Sequence, residues 1–444
     1  MKNKNKLKKG KGAALWEKAK RLIPGGNQLL SKRAEMFLPG FWPAYYEKAK
    51  GIEVTDLDGR TYLDFSIMGV GACILGYADK DVNRAVKRAV DRGSMSTLNS
   101  PEEVELAELL CELHPWAKKV RYARTGGEAM AIAVRIARAH SGKSKVAFCG
   151  YHGWNDWYLA TNLSDTQGLN EHLLSGLDPA GVPPALQGSA LPFSYNRIDE
   201  LEALVAQHTD IGVIIVETLR HNEPEQGFLQ KVRAIATRTG AVLIFDEITV
   251  GWRIALGGAH MHYGVHPDIA VLGKSIANGY AMAAIIGKKE VMDSAQKTFI
   301  SSTFWTERIG PVAALATIRK MKKRNLPKHL KHIGSLIGDG WQKLASKHGL
   351  RLHVHGPEAL VGFAFKYGSE SQAIRTLFTQ EMLKRGFLAS GSVYISYAHT
   401  EVLVRKYLRA VDEVFGIIAR AIAGKTVHAL LQGDVAHSGF QRLT

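Results

Sequence analysis

The chain has 444 residues, more than one simple hydrophobic core usually holds, so two domains are expected. Apolar residues make up 46% and charged residues 22%, which excludes a low-complexity or largely disordered chain. The absence of any apolar run of about 18 residues excludes an ordinary membrane-spanning helix. The formal charge of +17 is unusual for such a composition.

The chain opens on MKNKNKLKKGKG, where Lys2, Lys4, Lys6, Lys8, Lys9 and Lys11 meet no acid. Like charges with few apolar residues repel, so residues 1–14 read as a disordered basic tail; contact with nucleic acid or an anionic membrane is the alternative. Without those six lysines the body keeps about +11, which favours an anionic small molecule as its partner. Neither a membrane nor nucleic acid is expected there. Cys73, Cys111 and Cys149 show no CxxC spacing and cannot all pair, which favours a reducing compartment. With no signal-peptide-like apolar stretch behind the lysines, a soluble cytoplasmic protein is expected.

A short helix is expected from Trp16 to Leu22, stopped by Pro24-Gly25-Gly26. Ile52 to Val54 and Arg60 to Leu63 flank Asp58-Gly59, a hairpin turn pair. Short apolar runs follow at Lys145 to Cys149, Val213 to Val216, Ala241 to Phe245, Ile269 to Leu272 and Ala283 to Ile286. Helical patterns such as Glu128 to Ala139 and Gln230 to Thr239 lie between them. Strands alternating with helices predict an α/β domain whose sheet is mostly parallel and covered on both faces. The stretch 161–194 reads as a long surface loop. Beyond Gly310 come helices, Pro311 to Lys323 and Lys328 to His348, then short strands and a last helix. The expected division is an N-terminal arm (15–65) packing on the small domain, a large domain (66–310), a smaller α+β domain (311–425) and a C-terminal extension (426–444).

Four places carry chemistry. Asp246-Glu247 closes an apolar run, where parallel sheets bind ligands; a strand-end aspartate also caps turns. Lys274, in Leu272-Gly273-Lys274-Ser275, follows another such strand. A lysine desolvated there becomes nucleophilic, although loop lysines are commonly solvated. A P-loop is ruled out because Asp268, five residues before Gly273, stands where its first glycine belongs. Thr125-Gly126-Gly127-Glu128 opens a helix with a cap and two glycines, suited to phosphate or simply to a well-capped start. Tyr151 follows the strand Lys145 to Cys149, where a ring can stack on a planar cofactor or pack in the core.

In order and spacing these segments resemble the class III aminotransferases of fold type I, closest to the glutamate-1-semialdehyde aminomutase branch. The likeness runs from about Leu15 to Phe415. It is carried by Ile23-Pro24-Gly25-Gly26, Asp58 to Asp64, Thr125 to Ala129, Tyr151-His152-Gly153, Ile244 to Glu247, Leu272-Gly273-Lys274 and Ala398-His399-Thr400-Glu401. The resemblance implies pyridoxal 5'-phosphate, held as a Schiff base by Lys274 with Asp246 at the pyridine nitrogen. It also implies Tyr151 on one ring face, Ile248 on the other, the phosphate at Gly126 and Gly127, and Asn222 at the ring hydroxyl. Thr303 matches a threonine lent by a neighbouring subunit, so an obligate homodimer with shared sites is implied. Arg33 matches an arginine that grips a substrate carboxylate; a surface arginine beside Lys32 is the alternative.

All but one of the departures fall on the substrate half. Gly127 replaces a phosphate-binding threonine, for which Thr125 compensates. Met68-Gly69-Val70-Gly71 stands where the aminomutases carry Trp-Gly-Pro, and Ser390-Gly391-Ser392 replaces Phe-Glu-Ala. The loop Phe304 to Pro311 is two residues longer than usual and places Arg308 near the expected mouth. A transaminase is therefore expected, moving nitrogen from a donor such as L-glutamate to an anionic, phosphorylated or nucleotide-linked carbonyl acceptor, with Arg33 and Arg308 as its anion contacts. The alternatives are glutamate-1-semialdehyde aminomutase and a non-catalytic basic binding protein.

Overall fold

The computed structural model describes residues 7–172, 175–219, 222–440 and 443. Lys2, Lys4 and Lys6 of the basic start lie outside them. The chain forms two compact units, one from the segments before Lys80 and from Lys328 onward, the other from Lys80–Pro327.

In the first unit, a helix over Lys11–Leu22 begins inside the stretch expected as a tail. It forms because Trp16 and Ala19 have a place to bury, and Trp16 Nε1 donates to Glu35 Oε1 at 2.9 Å. Strand β1 (Tyr46–Lys50) pairs antiparallel with β2 (Glu53–Asp56), and β2 pairs likewise with β3 (Thr61–Phe65). The hairpin read from Asp58-Gly59 is present, with Gly59 at φ +78° where a side chain would be strained.

The second unit carries β4 (Lys119–Ala123), β5 (Lys145–Cys149), β6 (Ala190–Pro192), β7 (Ile211–Glu217), β8 (Val242–Asp246), β9 (Ile269–Leu272) and β10 (Ala283–Gly287). Their spatial order is β4-β10-β9-β8-β7-β5-β6. Neighbours from β9 through β6 pair in parallel, whereas β10 is antiparallel to both β9 and β4. Side chains alternate between faces along a strand. Val213 and Ile215 thus join a core with Ala133 and Ile136 of helix Gly126–Ser141, while Ile214 and Val216 join another with Val232 and Ala236 of helix Phe228–Thr239. Two covered faces explain why these strands read as continuous apolar runs.

Two strands of this sheet escaped the sequence reading. β4 is a half-buried edge strand with charged residues, and β6 is a three-residue edge strand inside the stretch expected to be only loop. That stretch also buries Leu169 and Val182, so it is partly core. The expected domain limits move as well. Helix Ile309–Arg324 buries Ala313, Ala314, Leu315 and Ile318 and stays with the second unit, beyond the expected end at 310. Residues 66–79 instead join the first unit, where Ser66 and Ile74 carbonyls accept from Tyr394 N and Tyr397 N.

The first unit resumes with the hairpin of β11 (Leu352–His355) and β12 (Gly362–Phe365), and with β13 (Phe387–Ala389), which pairs in parallel with β3. Residues beyond 425 pack here rather than hang free: Leu7 N donates to Gln432 Oε1, and Ala436 N to Thr376 Oγ1. Thr400 caps the helix Glu401–Ala423. Beside it His399 is fully buried, edge-on to Phe65, with Nε2 donating to Asp64 O at 3.0 Å and Nδ1 accepting from Ser396 N at 3.1 Å.

Burial pushes the His399 pKa down to about 4. The unfolded chain, at about 6.5, binds this proton first as pH falls, so the stabilisation is complete above 6.5 and is lost toward 4. Urea unfolding should therefore show a wild-type contribution of about 3 kcal/mol disappearing over that window. His399→Gln lacks that slope, so the stability gap between the two proteins should narrow with falling pH. A gap that stays constant from pH 7 to 4.5 would show that His399 does not titrate this way.

Candidate active site

Because β5, β7, β8 and β9 are parallel, their carboxyl ends reach one edge of the sheet, where such sheets bind ligands. Glu217 ends β7, Asp246 ends β8, and Lys274 stands two residues beyond β9. Asp246 is 4% exposed; its Oδ1 accepts from Ile248 N and its Oδ2 faces His152 Nδ1, both at 2.9 Å. His152 Nε2 faces Cys149 O at 3.1 Å and must donate to it. Two acceptors thus face two ring nitrogens, and one proton lies between Nδ1 and the Asp246 carboxylate.

Glu217 receives Tyr151 N at 3.1 Å and sits against Gly150, where a Cβ would come within 2.6 Å of its Oε2. Glu247 turns the other way. Burial favours its neutral form, yet bonds from the His260 ring and from the N–H groups of Ala259 and His260 hold its carboxyl below the usual range. It anchors structure rather than facing the edge.

Lys274 has φ +39°, a strained value for a lysine and one that persists only where surroundings impose it. Its Nζ donates to Thr249 Oγ1 at 2.7 Å. Burial lowers its pKa, while the Asp246 and Glu217 charges pull it back up and Arg253 lowers it further. Burial, with Asp246 and Glu217 nearby, raises the Tyr151 pKa.

Ile248 links three elements, since a Cβ on Gly126 would meet its Cδ1 at 3.0 Å and one on Gly273 its Cγ2 at 3.3 Å. Thr125 and Glu128 form the capping box expected at Gly126–Ser141, with Thr125 N donating to Glu128 at 2.9 Å. Asn155 Nδ2 donates to Gly127 O at 2.7 Å. The structure thus brings Lys274, Asp246, Tyr151, Ile248, Gly126, Gly127 and Thr125 to one edge.

The remaining expected residues fare differently. Asn222 is exposed in the loop after β7 and makes no described bond to this group. Thr303 is exposed on a short 3-10 turn, whose loop is tied to Arg124 through the carbonyls of Trp305 and Glu307. Arg308, expected at the substrate mouth, is instead committed to Glu102 at 2.5 Å. Arg33 lies in the first unit, over the Phe440 ring at 5.7 Å. Sequence reasoning missed His152, Glu217, Thr249 and the buried Arg253 as site residues. His152 beside Tyr151, and Glu217 at a strand end like Asp246, offered usable signals.

A family model described as aminotransferase class-III matches residues 40–421. The chain is 32% identical to 3-aminobutyryl-CoA aminotransferase of Cloacimonas acidaminovorans (strain Evry), over 92% of this chain and 97% of that protein. It is 31% identical to glutamate-1-semialdehyde 2,1-aminomutase of Methylacidiphilum infernorum (isolate V4), over 90% and 96%. The FumI protein of Sphingopyxis sp. MTA144, solved with pyridoxal phosphate as its internal aldimine, superposes with a TM-score of 0.84 at 25% identity, covering 95% of this chain and 99% of that one. The site suits that cofactor: a buried carboxylate for a pyridinium, a desolvated amine for a carbonyl, and a 16-residue helix opening on two glycines for a phosphate. Among the described residues no cluster of potential metal ligands occurs.

With the cofactor removed, the free Lys274 amine should react with an amine-modifying reagent along a pH curve displaced below that of an exposed lysine. Asp246→Asn should displace that curve further downward, because it removes a charge that raises the Lys274 pKa. A curve unmoved by the substitution would mean that the two groups are not electrostatically coupled.

Proposed function

We propose a transaminase acting on an anionic carbonyl acceptor, from the premise that this chain belongs to the class-III aminotransferases and uses pyridoxal phosphate. It has the fold-type-I architecture of those enzymes. The observation that carries the reading is the meeting of a buried carboxylate and a desolvated lysine amine at one sheet edge. Pyridoxal phosphate supplies there an electrophilic carbonyl and an electron-accepting ring. Lys274 Nζ would hold the cofactor, and its free amine would move the proton at the substrate Cα. Thr249 Oγ1 keeps the free amine in place. Asp246, fixed by Ile248 N and His152, keeps the ring nitrogen protonated. The N–H groups at Gly126 and Gly127 would bind the phosphate, with Thr125 at the cap. Tyr151 and Ile248 would cover the ring, and Asn222 would serve its hydroxyl. Thr303 serves the site of a second subunit in a homodimer.

The acceptor is a phosphorylated or nucleotide-linked carbonyl compound, with L-glutamate as donor. Two things support this: the basic body, and the relative named for a coenzyme A thioester, itself a nucleotide-linked substrate. Arg33 grips the anionic group; Arg308 is withdrawn from that role because Glu102 occupies it. The aminomutase is the second reading, favoured by the Methylacidiphilum relative. The replacement of its substrate segments by Met68 to Gly71 and Ser390 to Ser392 weighs against it.

The test is a half-reaction screen on the cofactor-loaded enzyme, following its visible absorbance. L-glutamate should shift the band and 3-aminobutyryl-CoA should do so as well. Conversion of glutamate-1-semialdehyde with no second substrate would favour the aminomutase instead. Lys274→Ala should abolish turnover with the fold intact, and normal activity in it would sink the assignment. Asp246→Asn should slow turnover by about 10²-fold, in the range of other single electrostatic groups.

A further inference from the structure

Outside the site, the second unit has an open groove of roughly 540 Å³ between helices Lys80–Asp91 and Ile309–Arg324, a volume typical of small-molecule sites. It shares no lining residue with the edge around Lys274. Arg84 and Arg88 line one wall at four-residue spacing, hence on one helical face, and Arg92, in the turn just after the helix, lines the same wall. Arg319 and Lys323 line the other wall at the same spacing. Like charges placed so destabilise a helix, and the three acids that line the groove, Asp81, Glu102 and Glu105, relieve them only in part. Asp81 pairs with Lys320 at 2.7 Å, Glu105 with Arg319 at 3.5 Å, and Glu102 with Arg308 at 2.5 Å. Among the described residues Arg84, Arg88, Arg92 and Lys323 have no ion pair. The floor is apolar, built by Ala85, Ala89, Val312, Leu315 and Ala316.

We propose that this groove binds an organic polyphosphate of nucleotide size. Its phosphate chain lies between the two basic rows, where guanidinium forks bind phosphate oxygens in pairs, and its organic body covers the apolar floor. A floor without polar partners gives an inorganic polyanion nothing to hold beyond the walls.

Calorimetric titration of the cofactor-loaded enzyme tests this, since its own phosphate-binding helix start is then filled. ATP should bind one per chain, more weakly as salt rises, and more tightly than AMP or inorganic tripolyphosphate. The double variant Arg84→Gln, Arg88→Gln should weaken ATP by about tenfold or more, with its thermal midpoint no lower and its bound-cofactor absorbance unchanged. Ala316→Glu, which puts a carboxylate on the floor, should weaken it independently. The proposal falls if ATP gives no heat at millimolar concentration, or if its affinity survives the double variant. Tripolyphosphate binding as tightly as ATP would overturn the organic half of the claim. Preference for a 20-nucleotide single-stranded DNA over ATP would make the groove a nucleic-acid surface instead.

Discussion

A parallel strand buried on both faces can carry polar groups only at its ends, and here that constraint gathers the ends of β5, β7, β8 and β9 at one edge. Buried charges are costly unless hydrogen-bonded. The acids are provided for by fixed donors: Ile248 N and His152 for Asp246, Tyr151 N for Glu217. The lysine is not treated equally. Its amine has one described hydrogen-bond partner, the uncharged hydroxyl of Thr249, in a setting whose burial already favours the neutral form. The acids are thus fixed by several donors, whereas the amine is held by one side chain and its burial favours loss of the proton.

The strands that deliver these residues were legible because their chemistry is local. An apolar run with an acid or a lysine at its end shows itself within a few residues, as at Ala241 to Asp246 and Ile269 to Lys274. What escaped depends on distant partners. His152 meets Asp246 across 94 positions and Glu217 meets Tyr151 across 66, so neither pairing leaves a spacing signature. Arg308 misled for the same reason, because the carboxylate that occupies it lies 206 residues away. The edge strands β4 and β6 failed differently: one is charged and half-exposed, the other only three residues long. Neither shows the full apolar run that marks a central strand.

The basic charge divides along comparable lines. Lys11 belongs to a helix rather than a tail, its N–H accepted by Asp58 Oδ2 at 2.9 Å. Much of the charge in the second unit is neutralised in pairs such as Lys288 and Arg233 on Asp268. Around the groove Arg319 is paired with Glu105, whereas Arg84, Arg88, Arg92 and Lys323 have no ion pair among the described residues. A net charge read from composition therefore says little about where an anion would settle; the pairing of individual side chains does.

Backbone strain is concentrated where surrounding contacts impose it. In the first unit Met68, Gly69, Val70 and Gly71 all take positive φ, with Val70 at +59° although it is β-branched. Such a residue costs about 1–3 kcal/mol and persists only when surrounding contacts over-determine it. The contacts are present: Gly71 N donates to Ile67 O at 2.7 Å, Cys73 N donates to Met68 O, and the Met68 side chain is 1% exposed. In the second unit Lys274 at +39° and the fully buried Trp252 at +72° are held comparably. Strain at Lys274 fits a residue whose geometry chemistry dictates. Strain at Met68 to Gly71 is likewise imposed from outside: the hydrogen bonds to Ile67 O and Met68 O and the burial of Met68 hold the segment in a path it would not take alone.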